Sequence, residues 1–321
     1  MKFVVKTALV LLALASVAVM AVLQRQPVAA PEPTQPVAFG DATIRAKAGA
    51  SEVVIRTTAR TAGAIHSLTW GGKEFVDSFD HGRQLQSASN FDCGQKFIPE
   101  VFNPTEAGSM ADGRGDRSTS KLLELSAKGN ELTTLGRMAF WLKPGEKSQG
   151  QPARNTVALS DHYLAKRVTV GHGDMPHAIE YRATFLVPTG EKHTYSQFEA
   201  VTGYMPPEFG TFLRFDAAAG KLKPLSDGPG EQADPVVLAT ADGKHAMGVY
   251  SPDQPSKGFE QAGYGRFRFA AEKVVKWNCV FRARNKDGVP GGDYQFRCFL
   301  VVGSRADCEA TLTALQKEFA K

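Results

Sequence analysis

Apolar and polar residues alternate along most of the chain in short runs, and the runs are separated by turns that contain glycine, aspartate and proline. In residues 64–70, for example, Ile65, Leu68 and Trp70 are interspersed with polar residues, and two glycines follow. This pattern is typical of β-strands with one buried face. The predicted strands are 52–58, 64–70, 121–126, 132–142, 155–159, 164–170, 178–187, 195–201, 236–239, 246–250, 265–270, 274–283 and 294–302. Many strands joined by short turns predict an all-β fold, either a large antiparallel β-sandwich (a supersandwich) or a barrel.

One α-helix is predicted, at the C-terminus. Ser304 can cap it, and Asp307 lies three residues later, as in a capping box. The apolar residues at helical spacing on one face are Cys308, Leu312, Leu315 and Phe319. We expect this face to pack on the last sheet.

The N-terminus has the pattern of a targeting segment. Lys2 and Lys6 precede an apolar run, residues 8–23, which is short for the ~20 residues of a spanning helix. A secretory signal cleaved after Ala18 or Ala30 is favoured, and an uncleaved anchor is the alternative. The chain then divides into a signal peptide or anchor at 1–30, a proline-rich spacer at 31–39 and a single β-sandwich domain at 40–321. We expect an exported body, periplasmic or secreted, held at a membrane only if the segment stays uncleaved.

The charge of the chain narrows the choice of partners. Its formal net charge of +5 comes from lysines and arginines that are scattered rather than clustered. This distribution disfavours a nucleic-acid partner. The sequence has no phosphate-binding glycine loop, no GxSxG elbow and no HExxH pattern, so the enzyme classes that depend on them lose support. We expect no cofactor.

The cysteines favour a disulfide over a metal site. None of the four cysteines belongs to a CxxC pattern or has a histidine near it in sequence, so we expect no metal. Cys279 and Cys298 lie on two predicted strands that flank the turn 287–292. If these strands form a hairpin, the two thiols lie opposite each other and are the disulfide candidate; Cys298 with Cys308 is the competing pair.

Polar side chains are most concentrated in residues 80–114, among glycines and prolines. Because a scaffold needs periodic apolar residues, polar groups gathered in irregular backbone more often form a site. The donors and acceptors are of the kinds that bind sugar hydroxyls. Beside His81, Arg83 and Gln84 are suited to bind a sugar carboxylate or to orient hydroxyls, and a polar surface turn is the alternative.

Two glutamates are candidates for proton transfer. In the loop 103–108, Asn103 precedes Pro104 and Glu106 lies between that proline and Gly108, so Glu106 is a candidate general acid or base. The alternative is an Asx-type turn with Glu106 in solvent. Glu199 ends a predicted strand and is followed by Tyr204, whose ring can stack on a sugar face. A loop that covers the sandwich edge is the alternative there. Trp141 could line a cleft rim, although a core position is favoured.

Two segments resemble a known family. Residues 71–77 (GGKEFVD) followed by 78–88 (SFDHGRQLQSA), and later residues 242–252 (DGKHAMGVYSP), resemble the galactose mutarotase-like superfamily of aldose epimerases, polysaccharide lyases and glycosidase accessory domains. The resemblance implies a large β-sandwich that acts on sugars. The His-Pro-Tyr-Phe-Asn motif of the epimerases is absent. Residues 161–164 resemble it only weakly, and this weak likeness makes His162 a candidate substrate-binding residue. This departure argues against a plain aldose epimerase.

Two functions follow as hypotheses. The first is an exported carbohydrate-active enzyme of lyase, hydrolase or epimerase type that acts on a polysaccharide or sugar. Its predicted catalytic residues are His81, Glu106 and Glu199, and its predicted substrate-binding residues are Arg83, Gln84, Asn103, His162 and Tyr204. The second is a non-catalytic glycan-binding envelope protein. Convergence of the titratable side chains would favour the enzyme, and their separation would favour the binding protein.

Overall fold

The computed structural model describes residues 40–260 and 262–320. The predicted signal peptide or anchor and the spacer lie outside the described residues. Within these two ranges, no helix is long and apolar enough to cross a bilayer.

The described chain consists mainly of β-strands. In chain order they are β1 (Ala42–Ala48), β2 (Ser51–Thr57), β3 (Ile65–Trp70), β4 (Lys73–Glu74), β5 (Leu85–Phe91), β6 (Pro104–Thr105), β7 (Lys121–Lys128), β8 (Glu131–Phe140), β9 (Lys147–Ser148), β10 (Gln151–Pro152), β11 (Leu159–His172), β12 (Met175–Val187), β13 (His193–Met205), β14 (Thr211–Asp216), β15 (Lys221–Pro224), β16 (Gly230–Gln232), β17 (Val236–Ala239), β18 (Ala246–Tyr250), β19 (Tyr264–Phe269), β20 (Val274–Val289) and β21 (Gly292–Gly303). Two 3₁₀-helices, Ala59–Thr61 and Met110–Asp112, and one α-helix, α1 (Arg305–Phe319), complete these elements.

The strand pairings form two antiparallel layers. The first layer has the order β1-β2-β3-β5-β13-β20-β19-β16, with β4 added beside β3. The second has the order β7-β8-β11-β12-β21-β18-β17-β14-β15. The short strand β6 pairs with both β5 and β8 and so joins the layers. The predicted all-β sandwich is therefore confirmed.

The main core lies between the two layers. The Tyr181 hydroxyl on β12 is 2.9 Å from Ser87 Oγ on β5, and the Phe185 ring is 5.1 Å from that of Phe198 on β13. These side-chain contacts join strands that are not paired by backbone hydrogen bonds. Each strand therefore turns alternate side chains into the core and leaves the others on its outer face.

Helix α1 covers the outer face of the second layer. Ser304 Oγ accepts a hydrogen bond from the backbone N–H of Asp307, whose carboxylate accepts one from the N–H of Ser304. Cys308, Leu312 and Leu315 are fully buried in a second apolar cluster with residues of β12, β14, β17, β18 and β21. The predicted capping box and the packed face are both confirmed.

The connection from β20 to β21 differs from the predicted hairpin. In the described residues β20 pairs with β13 and β19, whereas β21 pairs with β12 and β18. The turn after Val289 therefore carries the chain from one layer to the other. Cys279 and Cys298 are still neighbours as free thiols, with the Sγ of Cys298 donating to that of Cys279 at 3.7 Å, but they meet across the core.

Candidate functional site

A cleft of about 490 Å³ lies on the outer face of the first layer, over β5, β13 and β20. From β5 it receives Gln86, Ala88 and Asn90, which alternate with residues that face the core. From β20 it receives Val274 and Lys276. The floor is thus built by three adjacent strands whose inner faces are fixed by the core.

A β-bulge sets which residues of β13 reach the cleft. The pairing of β13 with β20 shifts register between Glu199 and Val201. An extra residue in one strand changes which face the following side chains occupy. As a result Gln197 and Glu199 line the cleft before the bulge, and Thr202 and Tyr204 line it afterwards.

Three aromatic side chains border the cleft. They are Trp141, Tyr204 and Phe269. Trp141 packs against Gly82, where a Cβ atom would lie only 2.8 Å from the indole Cη2. A side chain at position 82 would therefore displace this ring. Trp141 lies at the rim rather than in the favoured core position.

Glu199 and Lys276 form an ion pair in the floor. Lys276 Nζ lies 3.1 Å from Glu199 Oε2, and the two side chains are 12% and 15% exposed. The Nζ atom is also 5.0 Å from the centre of the Tyr204 ring. Burial lowers the pKa of Lys276, but Glu199 and Tyr204 raise it by more, so its pKa lies above the usual 10.5. Lys276 is therefore a protonated donor at neutral pH.

Arg83 lies at one side of the cleft and is already paired. Its Nε is 3.3 Å from Asp80 Oδ2, and its Nη1 is 3.7 Å from Asp77 Oδ2. Nη1 also donates to the backbone carbonyl of Glu272, at 3.2 Å. These contacts fix the guanidinium in place and balance its charge.

Two buried amides have unused hydrogen-bonding groups at the cleft. Asn90 Oδ1 accepts from the backbone N–H of Glu100 at 2.9 Å, and Asn103 Nδ2 donates to the carbonyl of Ser89 at 2.6 Å. Within the described ranges, Asn90 Nδ2 and Asn103 Oδ1 have no partner. Both residues are 7% exposed and line the cleft, which therefore offers one free donor and one free acceptor.

The structure does not bring the three predicted catalytic residues together. Glu199 lines the cleft, but His81 and Glu106 do not. Both ring nitrogens of His81 are hydrogen-bonded to backbone carbonyls. Nδ1 lies 2.9 Å from Gly113 O, and Nε2 lies 2.7 Å from Arg60 O. His81 is thus placed to hold two loops together.

Glu106 lies inside the sandwich. Its Oε2 accepts from the N–H of Ser87 at 2.9 Å, and its Oε1 pairs with Lys166, whose side chain has no exposure. This buried pair requires both partners, because removing either one would leave an uncompensated charge. The position of Glu106 supports a structural role.

The predicted substrate-binding residues also divide into two groups. Arg83, Asn103 and Tyr204 line the cleft. Gln84 is fully buried beneath it, and its Nε2 donates to Ser78 Oγ at 3.2 Å. His162 is 1% exposed and bonds to a carboxylate outside the cleft.

That carboxylate belongs to Glu191, which joins two histidines. His162 Nε2 and His193 Nε2 each lie 2.8 Å from Glu191 Oε2, and the Phe91 ring packs against both imidazoles. Burial raises the pKa of Glu191, but the hydrogen bonds from the two histidines outweigh it and lower the pKa to about 2. The cluster therefore connects His162 on β11 of the second layer with His193 on β13 of the first.

Sequence reasoning missed Lys276 as a site residue. The sequence did contain a signal for it. Lys276 stands between Val275 and Trp277, which belong to the apolar face of the strand, so Lys276 itself belongs to the opposite face. In such a strand a lone charge faces away from the core. Its proximity to Glu199, however, depends on the pairing of β13 with β20.

Comparisons with known proteins identify the fold. No protein-family model matches the chain, and the search of curated proteins found no significant match. Among solved structures, a glycosyl hydrolase family 38 protein from Enterococcus faecalis matches with a TM-score of 0.50 and 11% identity, over 88% of this chain and 32% of that one. The α-galactosidase from Lactobacillus brevis matches at 0.45 and 10%, over 88% and 42%. An aldose 1-epimerase-like protein from Escherichia coli K12 matches at 0.45 and 9%, over 82% and 99%. At these identities the likeness concerns the fold alone, and the chain has the large antiparallel β-sandwich of the galactose mutarotase-like proteins.

Proposed function

We propose that the chain binds a carbohydrate in the cleft over β5, β13 and β20. The observation that carries this proposal is that one cleft combines aromatic faces with free amide groups. Trp141, Tyr204 and Phe269 offer apolar ring surfaces, which suit the CH faces of a sugar. Asn90 and Asn103 offer a donor and an acceptor for its hydroxyls. The fold agrees with a sugar ligand but does not itself select one.

Catalysis in the same cleft is a second candidate function. It is favoured by Glu199, a carboxylate beside a protonated lysine, which is suited to take up or release a proton at a bound sugar. Because His81 and Glu106 do not line the cleft and are held by other protein groups, binding without turnover is favoured. We therefore rank binding first.

Export remains part of the proposal. It rests on the basic, then apolar, N-terminal pattern. Fractionation of cells that express the full chain tests it independently of the cleft. Recovery of the chain in the cytoplasm, without cleavage or membrane attachment, would contradict export.

Binding to an array of oligosaccharides tests the main proposal. The full chain is compared with Trp141→Leu and with the control Glu131→Gln, which alters an exposed ion pair on the second layer. We expect binding to at least one saccharide, a loss of roughly tenfold in Trp141→Leu from the missing ring contact, and no change in the control. Failure to bind any saccharide would rule the proposal out.

Product analysis separates binding from catalysis. The bound saccharide is incubated with the full chain, and both new reducing ends and the absorbance of unsaturated products are followed. Reducing ends with unsaturation indicate a lyase, and reducing ends without it indicate a hydrolase. Turnover that is lost in Glu199→Gln supports a catalytic role for that carboxylate. Binding without products supports the non-catalytic function.

A further inference from the structure

The charge of the cleft is opposite to that of the chain. The whole sequence carries a formal net charge of +5. The cleft, in contrast, is lined by four carboxylates and two cations, namely Asp80, Glu100, Glu199, Glu272, Arg83 and Lys276. An excess of negative charge in a concave site repels anions and raises the local concentration of neutral or cationic species.

Both cations already have carboxylate partners within the protein. Lys276 is paired with Glu199, and Arg83 contacts Asp80, Asp77 and the carbonyl of Glu272. An acidic ligand would have to compete with these protein groups for both cations. Glu100 and Glu272 have no cationic partner among the described residues, and both are exposed at the cleft edge. Their charges would act on the ligand directly.

The free hydrogen-bonding groups also distinguish hydroxyls from carboxylates. Asn103 Oδ1 needs a donor, which a hydroxyl supplies and an ionised carboxylate or a sulfate does not. Asn90 Nδ2 needs an acceptor, which a hydroxyl also supplies. A hydroxyl-rich sugar satisfies both groups, whereas an anionic group on the ligand satisfies only the second.

We infer that the cleft selects saccharides that carry neither carboxylate nor sulfate groups. This inference rests on the proposed function and names the ligand class of the same cleft. It also removes uronate chemistry from the reactions that the cleft would support.

Matched pairs of oligosaccharides test the inference. The probes are trimers of galactose and of galacturonate, and trimers of mannose and of mannuronate, so that each pair differs at C6. Affinities for the full chain are measured by calorimetry at about 20 mM and about 500 mM NaCl, where the Debye length falls from roughly 20 Å to about 4 Å. For a pair that binds, we expect the neutral trimer to bind roughly tenfold more tightly at low salt, with a smaller difference at high salt.

A charge-neutralised variant supplies the control for electrostatics. Glu100→Gln combined with Glu272→Gln removes two exposed negative charges and leaves the side chains in the floor of the cleft unchanged. We expect the affinity for the uronate trimer to rise about threefold or more relative to the affinity of the same variant for the neutral trimer. Glu131→Gln, which lies on the other layer, is expected to change neither affinity.

The outcomes separate the two proposals. Equal or tighter binding of the uronate trimer would overturn the inference and leave the proposed function standing. An affinity for the uronate that the double variant does not change would also overturn it. If no saccharide of the array or of the matched pairs binds, the proposed function itself fails, and this inference fails with it.

Discussion

Glu191 gives the molecule a titratable contact whose strength depends on pH. Its carboxylate receives hydrogen bonds from His162 and His193, and its pKa is lowered from the usual 4.5 to about 2. A carboxylate with a lowered pKa stabilises the folded state above pH 4.5. That stabilisation is lost as the pH falls toward 2. We expect Glu191→Gln to lower the free energy of unfolding by about 1–2 kcal/mol at neutral pH, a value that allows for solvent screening of this half-buried group.

Urea denaturation of the parent and of Glu191→Gln between pH 7 and pH 2 measures this contribution. The difference between the two proteins should shrink as the pH falls from 4.5 toward 2. A difference that stays the same down to pH 2 would show that the carboxylate charge contributes nothing. Glu131→Gln, at an exposed ion pair, is expected to follow the parent within about 0.5 kcal/mol.

At the scale of single residues, the sequence identified polar types but not their partners. Four of the predicted site residues line the cleft, namely Arg83, Asn103, Glu199 and Tyr204. Glu106 comes from the same polar segment as Asn103, yet it turns inward to Lys166, which lies sixty positions along the chain. Whether a carboxylate meets a ligand or a buried lysine depends on strand pairing that no local pattern encodes.

Strand β13 illustrates how one element serves the core and the cleft together. Gly203 follows the bulge and pairs with Trp277 of β20. A Cβ atom at Gly203 would lie 2.5 Å from Cε2 and Cζ2 of the Trp277 indole, which is fully buried. We expect Gly203→Ala to destabilise the fold by about 1–3 kcal/mol, because the ring has no space to retreat.

Gly136 on β8 is the matched control for this substitution. A Cβ atom there would meet only Lys121 O, at 3.5 Å, which is ordinary contact. Gly136→Ala should therefore change the free energy of unfolding by no more than about 0.5–1 kcal/mol, in the stabilising direction. Equal losses in both variants, measured by chemical denaturation, would show that crowding against Trp277 is not the cause.

At the scale of elements, most of the longer strands with apolar alternation were predicted, but β1, β5 and β14 were not. Helix α1 was predicted with its cap, because its signals are local. Strand β5, with the sequence LQSASNF, was not predicted, although it forms part of the cleft floor. Its outer face carries the polar Gln86 and Asn90, and its inner face includes Ser87 and Ser89, so the apolar alternation that marks a strand is absent. Strand 155–159 was predicted, but only Leu159 belongs to a strand.

At the scale of the whole molecule, the two layers are joined by packing and by the short strand β6. The assignment of β20 and β21 to different layers could not be predicted from the sequence, because consecutive strands with a short turn usually pair. Their separation places Cys279 and Cys298 face to face across the core. A bond between them would connect the layers covalently at their centre.

Cys308 is poorly placed to form a disulfide with Cys279 or Cys298. Cys298 belongs to the apolar cluster between the layers, whereas Cys308 belongs to the cluster beneath α1, on the other side of β21. Cys308 Sγ faces the carbonyls of Ala246 and Val301, at 3.3 and 3.6 Å. A bond from Cys298 to Cys308 would have to pass through the strand, so Cys279 with Cys298 remains the preferred pair.

We therefore predict that the full chain forms a Cys279–Cys298 disulfide when it refolds under oxidising conditions. Burial, together with the neighbouring Cys298, raises the pKa of Cys279, which slows oxidation once the core has closed, since the thiolate is the reactive form. Oxidant present during refolding should therefore produce the bond, and oxidant added to the folded protein should produce little. Peptide mapping without reductant identifies the pair, and urea denaturation should show a gain of about 3 kcal/mol for a loop of 19 residues. The same gain must be absent in Cys279→Ala, and a Cys298–Cys308 peptide would contradict the separation of the two clusters by β21.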